Sequence, residues 1–153
     1  ELQVCGATLF DGYLGLPEAT AAAFTADGWF RTGDVATIAP DGSHRIVGRA
    51  SVDLIKSGGY RIGAGEIEAV LLGHPAVAEC AVVGVPDDDL GQRIVAFVVP
   101  AQQPTPWPGA ELAAELTDLV VRELSVHKRP REVRFVDALP RNEMGKVQKT
   151  KLT

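Results

Sequence analysis

Two adjacent glycines, Gly58 and Gly59, lie between a short apolar run, Leu54-Ile55, and a stretch of helical periodicity that opens at Ala64-Gly65-Glu66. Residues without a Cβ let the backbone turn sharply or come close to a bound molecule, so this point constrains everything around it. Beyond it, Ile67, Val70 and Leu71 recur at helical spacing, and acidic residues in the first turn suit the helix dipole. The order read from the residues is strand, glycine loop, helix. Taken alone, a Gly-Gly between strand and helix is either a tight turn or a bare strip against which a ligand lies.

From there the pattern predicts a helix over 64–73, strands over 77–85 and 93–99, a helix over 110–124 and a strand over 132–136. This is an α+β arrangement with a small, mostly antiparallel sheet flanked by helices. Cys80-Ala81-Val82-Val83-Gly84-Val85 is almost continuously apolar, which implies burial on both faces and a central place in the sheet. Pro86 to Gly91 reads as a polar turn, and Pro104 to Gly109 as a break before the helix carrying the stripe Leu112, Leu116, Leu119, Val120, Leu124.

Upstream, Leu2 to Cys5 alternates like a strand already under way, so the start at Glu1 reads as a cut inside a sheet. Pro17 suits a helical first position and opens a short helix through Phe24 that ends near Asp27-Gly28. Trp29 to Ile38 and Ser43 to Val47 read as strands joined across the turn Pro40-Asp41-Gly42.

Charge is unevenly placed. Residues 1–121 carry six Lys/Arg against sixteen Asp/Glu, while residues 122–153 carry nine against four. The basic end lacks interleaved aromatics and any nucleic-acid motif, which favours phosphate groups of a small ligand over a polynucleotide. No run of about 18 apolar residues is present, so no membrane span is indicated, and the acidic start resembles no export signal. Cys5 and Cys80 fit no metal spacing and stand in apolar surroundings. Both are expected to be buried free thiols in a reducing, cytoplasmic setting, with no disulfide and no structural metal.

Five motifs in order carry a resemblance: Gly12-Tyr13 with Pro17-Glu18-Ala19-Thr20; Gly28-Trp29-Phe30-Arg31-Thr32-Gly33-Asp34; Gly48-Arg49; Ser57 to Glu68; and Pro140-Arg141-Asn142-Glu143-Met144-Gly145-Lys146. Together they resemble the C-terminal part of the AMP-forming acyl-CoA synthetases, of the adenylate-forming superfamily. Within that family the glycine stretch looks most like malonyl-CoA synthetases. The resemblance implies that residues 1–49 are a β-rich remnant of a large N-terminal adenylation domain, 50–53 a hinge and 54–153 a mobile C-terminal domain. Ser51 and Asp53 are the hinge candidates, because the linker is one residue longer than in many relatives.

The resemblance also implies roles. Lys146, in what reads as a polar, mobile loop, becomes the adenylation lysine between the carboxylate substrate and the α-phosphate. Asp34 and Arg49 serve the ATP ribose and its phosphate side, and Lys56 and Arg61 lie near the nucleotide. Gly58, Gly59 and Tyr60 line the pantetheine channel, Glu66 lies near the thiol end, and Arg129 and Arg131 meet the coenzyme A 3′-phosphate. Lys128 is explained by its place after a helix C-terminus alone, and His127 is assigned no role.

The implied cofactors are ATP, with Mg2+ carried on the nucleotide, and coenzyme A; the implied partners are the missing N-terminal domain and a small carboxylic acid. The phosphate-gripping loop and the acid-selecting pocket of the family are absent from these residues, so the piece alone is expected to be inactive. Two further readings are a domain that loads a carrier-protein thiol and a non-catalytic module that binds a nucleotide or a partner.

Overall fold

The computed structural model describes residues 1–50, 53–102 and 109–153. Ser51, and residues 104–108 of the break predicted over 104–109, lie outside the described residues. The chain divides into two compact units, Glu1–Ser51 and Val52–Thr153.

The first unit is built from short pieces. Strand β1 (Gln3–Val4) pairs antiparallel with β2 (Phe30–Arg31), helix α1 spans Pro17–Ala23, and β3 (Asp34–Ile38) pairs antiparallel with β4 (His44–Arg49). The single strand expected over 29–38 is therefore two. Gly33 sits at φ +74°, a left-handed conformation that breaks an extended run. Around it, the Thr32 hydroxyl donates to the Leu2 carbonyl at 2.7 Å and accepts the Asp34 N–H at 3.1 Å. Phe10 contacts the rings of Tyr13, Phe24 and Phe30, with centroids 5.0 to 5.9 Å apart. Cys5 is exposed, against the expectation of a buried thiol, because the strand ends at Val4 and leaves it on the surface.

The second unit holds the larger core. Strands β5 (Leu54–Ser57) and β6 (Tyr60–Gly63) form a hairpin, followed by α2 (Ala64–Leu72), β7 (Val77–Asp87), β8 (Gly91–Pro100), α3 (Ala110–Glu123), a 3-10 turn at Val126–Lys128, β9 (Glu132–Phe135) and a 3-10 turn at Lys149–Lys151. The sheet runs β6-β5-β8-β7, with β9 parallel to β8 and the other pairs antiparallel. The central strand is thus β8, which pairs with β5, β7 and β9, whereas β7, expected in the middle, pairs with β8 alone among the described residues.

Burial on both faces of β7 is nonetheless real: Ala81, Val82 and Val83 are 3% exposed or less. Helices rather than neighbouring strands supply one cover. Val82, with Ile94, Ala96 and Val98 of β8, packs against Ile67 and Leu71 of α2 and Leu116 and Val120 of α3. Ala81, Val83, Val95 and Phe97 face the other way, onto Leu139, Val147 and Leu152 of the C-terminal tail. Each fully buried Leu, Ile or Val side chain contributes about 1.5–3 kcal/mol. Apolar burial therefore fastens the tail to the sheet and fixes the segment that carries Lys146.

Candidate functional site

The glycine loop is a hairpin turn. Ser57 pairs with Tyr60, and Gly58 and Gly59 stand between them at φ +56° and +82°. A two-residue turn with positive φ at both central positions matches strand twist, and glycine adopts it without strain. The expected order of strand, glycine loop and helix therefore gains a strand, β6, before α2 begins. Cross-strand pairing joins Ile55 to Ile62 and Lys56 to Arg61. Alternation buries the isoleucines, at 1% and 2% exposure, and leaves the two cations exposed side by side. Like charges directly opposite are unfavourable by themselves, so this pair is suited to an anion.

At the turn, the fold gathers residues that are far apart in the chain. Ser57, Gly58, Tyr60, Leu90, Val126, His127, Arg129 and Arg131 line one cavity of about 290 Å3. Four of the residues assigned to coenzyme A on resemblance are among them: Gly58, Tyr60, Arg129 and Arg131. His127, which sequence reasoning left without a role, stacks on Tyr60 with centroids 4.3 Å apart and planes 24° from parallel. Arg129 Nη1 donates to the Val126 carbonyl at 3.2 Å, and the Arg131 N–H donates to the Ile94 carbonyl at 2.8 Å, fixing the loop to β8.

In the loop between β7 and β8, Asp87 Oδ1 accepts the N–H groups of Asp89 and Leu90. The Leu90 N–H is the main cause holding that carboxyl below its usual range. Glu66, in the first turn of α2, forms an ion pair with Lys128. Lys128 is therefore more than a cation beyond a helix C-terminus: it ties the 3-10 turn to α2.

Lys146 lies elsewhere on the unit, exposed at the end of a tight turn. Asn142 Oδ1 accepts the N–H groups of Met144 and Lys146 at 3.1 and 2.9 Å, and the Asn142 N–H donates to the Lys146 carbonyl at 2.9 Å. Arg141 Nη1 donates to the Gly145 carbonyl at 2.6 Å, and its Nη2 reaches Glu79 of β7. Where the composition suggested a mobile loop, the structure shows one braced by side-chain hydrogen bonds. Gly145, at φ +79°, closes the turn.

In the first unit, Asp34 and Arg49 are direct partners across β3 and β4, and Arg49 Nε lies 3.3 Å from Asp34 Oδ1. Asp53, the described hinge candidate, accepts a hydrogen bond from Lys149 Nζ at 2.5 Å, and Glu68 Oε1 lies 2.8 Å from the same ammonium. Burial opposes the charge on Lys149, but the hydrogen bonds and charges of Asp53 and Glu68 outweigh it and raise the lysine pKa above its ordinary 10.5. Sequence reasoning missed Lys149 and Glu68 as a site; the spacing Gly-Lys-x-x-Lys was the available signal. No group of His, Cys, Asp or Glu suited to a metal ion occurs among the described residues.

A mixed sheet of this topology, with the braced lysine turn and the glycine hairpin on one unit, defines a class: the small C-terminal domain of adenylate-forming enzymes. Residues 66–146 match the family model for the AMP-binding enzyme C-terminal domain, and the chain belongs to that family. It is 46% identical over 153 residues to the mitochondrial malonate–CoA ligase ACSF3 of Bos taurus, covering 99% of this chain and 25% of that protein. ATP-bound MatB from Rhodopseudomonas palustris superposes with a TM-score of 0.81 at 39% identity, covering 98% of this chain and 29% of that one. A malonyl-CoA ligase product complex with methylmalonyl-CoA and AMP bound is 60% identical, with a TM-score of 0.55, over 91% of this chain and 29% of that one. The chain thus spans little more than a quarter of the length of the relatives it matches.

Proposed function

We propose that this chain is the C-terminal portion of an AMP-forming acid–CoA ligase, acting on malonate or a related small carboxylic acid. The observation that carries the reading is the cavity where the glycine turn, Tyr60 and His127 meet Arg129 and Arg131. It offers a side-chain-free edge for a narrow arm, a flat stack, and two guanidinium forks suited to phosphate oxygens. Family membership and the substrate names of the relatives support the same conclusion.

The chemistry has two steps. A carboxylate oxygen attacks the α-phosphorus of ATP, forming the acyl–phosphate bond as pyrophosphate leaves. The coenzyme A sulfur then attacks the acyl carbon, and AMP departs. In the first step two anions approach each other, and the Lys146 ammonium offsets the charge that builds between them. Magnesium enters on the nucleotide. Asp34, oriented by its contact with Arg49, accepts hydrogen bonds from the vicinal ribose hydroxyls. Lys56 and Arg61 face the nucleotide, and Glu66, held by Lys128, borders the path of the thiol.

The linker at 50–53 lets residues 54–153 present Lys146 for the first step and the glycine turn for the second, with Ser51 and Asp53 the pivot candidates, of which Asp53 is held by Lys149. The remainder of the adenylation domain is the obligate partner, and the cytoplasm is the proposed compartment. No helix among the described residues is long and apolar enough to cross a membrane. Free coenzyme A is favoured over a carrier-protein thiol because Arg129 and Arg131 give the cavity a cationic end.

Substituting Lys146→Ala in the full-length enzyme tests the reading. ATP–pyrophosphate exchange should fall about 10²- to 10³-fold, while thioester formation from supplied acyl adenylate is largely kept. Unchanged exchange would overturn it.

A further inference from the structure

Three residues beyond Lys146 is a lysine that neither step uses. The Lys149 side chain is only 14% exposed, and its ammonium lies 2.5 Å from Asp53 Oδ1 and 2.8 Å from Glu68 Oε1. Glu68 Oε1 also accepts the Val82 N–H at 2.7 Å, along the edge of β7 that β8 does not occupy. Asp53 is held a second time through its backbone, where its carbonyl accepts the Ala64 N–H at 2.7 Å. One ammonium thereby joins the start of the second unit, helix α2, the sheet edge and the tail.

Such a cluster is an expensive way to gain stability, since well-packed apolar residues of similar volume do as well or better. What charges with fixed partners supply is a defined geometry. The other end of the same tail segment is anchored too, through Arg141 to Glu79 and through Leu139 to the sheet. Lys146 stands between these two anchors.

Resting on the reading of Lys146 given above, we propose that Lys149 is a positioning residue for the adenylation step. By clamping Asp53 and Glu68 it locks the Lys146 turn to the first residues of its own unit. Lys146 then travels with Asp53 and Glu68 as part of one body. Without the ammonium, Asp53 and Glu68 face each other as two carboxylates, and the segment after Lys146 loses its polar anchor and keeps only the apolar contacts of Val147 and Leu152. The glycine hairpin and the Arg129–Arg131 segment, which serve the second step, keep their own contacts.

The test separates the half-reactions in the full-length enzyme. Lys149→Met should lower ATP–pyrophosphate exchange about 10- to 100-fold, the scale of an ångström-sized misplacement, and leave thioester formation from supplied acyl adenylate within about 3-fold. Lys149→Arg, which keeps the charge, should recover most of the exchange. Equal losses in both half-reactions, or none, would falsify the proposal. If the Met variant does not fold, Asp53→Asn must show the same one-sided loss, and an even loss overturns the proposal equally. Lys146→Ala run alongside distinguishes the two levels: exchange retained in that variant removes the reading on which the role of Lys149 rests.

Discussion

The Tyr60 ring lies over the His127 imidazole, centroids 4.3 Å apart, although 66 residues separate them in the chain. Offset stacking of this kind contributes about 0.5–1.5 kcal/mol beyond area burial, and here it builds one wall of the cavity that Arg129 and Arg131 also line. Tyr60 remains 51% exposed, so much of the ring is open to a ligand. Replacing His127 with Ala should raise the KM for coenzyme A about 2- to 10-fold, the range the stacking energy allows. Steady-state thioester formation at varied coenzyme A is the measurement. A fall in kcat with KM unmoved would mean that the pair braces the fold and does not meet the coenzyme.

Gly58 and Gly59 are required by backbone conformation, and space is available at both. A Cβ on Gly59 meets nothing within 4 Å, and one on Gly58 meets only Leu90 Cδ2 at an ordinary 3.6 Å. Their φ values of +56° and +82° are what an L side chain resists, at roughly 1–2 kcal/mol per residue. Gly59→Ala should therefore lower the unfolding free energy read from denaturant titration by an amount of that order, and Gly59→Asn, which tolerates the left-handed region, by less. Amide exchange in Ile62 and Ile55 localises the loss. If Gly59→Ala costs nothing in stability yet weakens coenzyme A binding, the bare edge serves the ligand and the turn tolerates a side chain.

Elements with long, one-sided or continuous apolar patterns were legible in the sequence: Leu116 and Val120 mark the buried stripe of α3, and Val82 and Val95 sit in strands that read as strands. What escaped is set by pairing at a distance. β6 is four residues long, too short for alternation to declare itself beside two glycines. The centrality of β8 depends on β9 arriving parallel from the far side of α3, which no local pattern encodes. Lys128 had a sufficient local explanation in the helix end before it, and only the fold brings Glu66 to it. Lys149 was visible as a letter in a motif, but lysine is so rarely buried that composition argues against the clamp the structure contains. Of the residues given roles on resemblance, Gly58, Tyr60, Arg129 and Arg131 line one cavity; the contacts that hold them there were invisible until the chain was folded.

Two groups beside α2 make stability fall at alkaline pH, in successive windows. Burial, aided by the Glu68 carboxylate and opposed by Lys149, pushes the Cys80 thiol from its ordinary 9.0 up to about 12. In the unfolded chain that thiol ionises near 9, while in the folded chain it stays neutral, so rising pH favours unfolding from about 9 until the folded group itself ionises. Lys149 has a raised pKa, so its contribution is fully present below the ordinary 10.5 and is lost as pH climbs through the higher folded value. Cys80→Ala should flatten the decline in denaturant midpoint that begins near pH ~9 and leave the decline attributable to Lys149 at higher pH. Alkylation followed by mass spectrometry gives a second readout, with exposed Cys5 modified in the native chain and Cys80 only on unfolding. Rapid labelling of native Cys80 would show that its sulfur is open to solvent, and the proposed alkaline slope would then need another source.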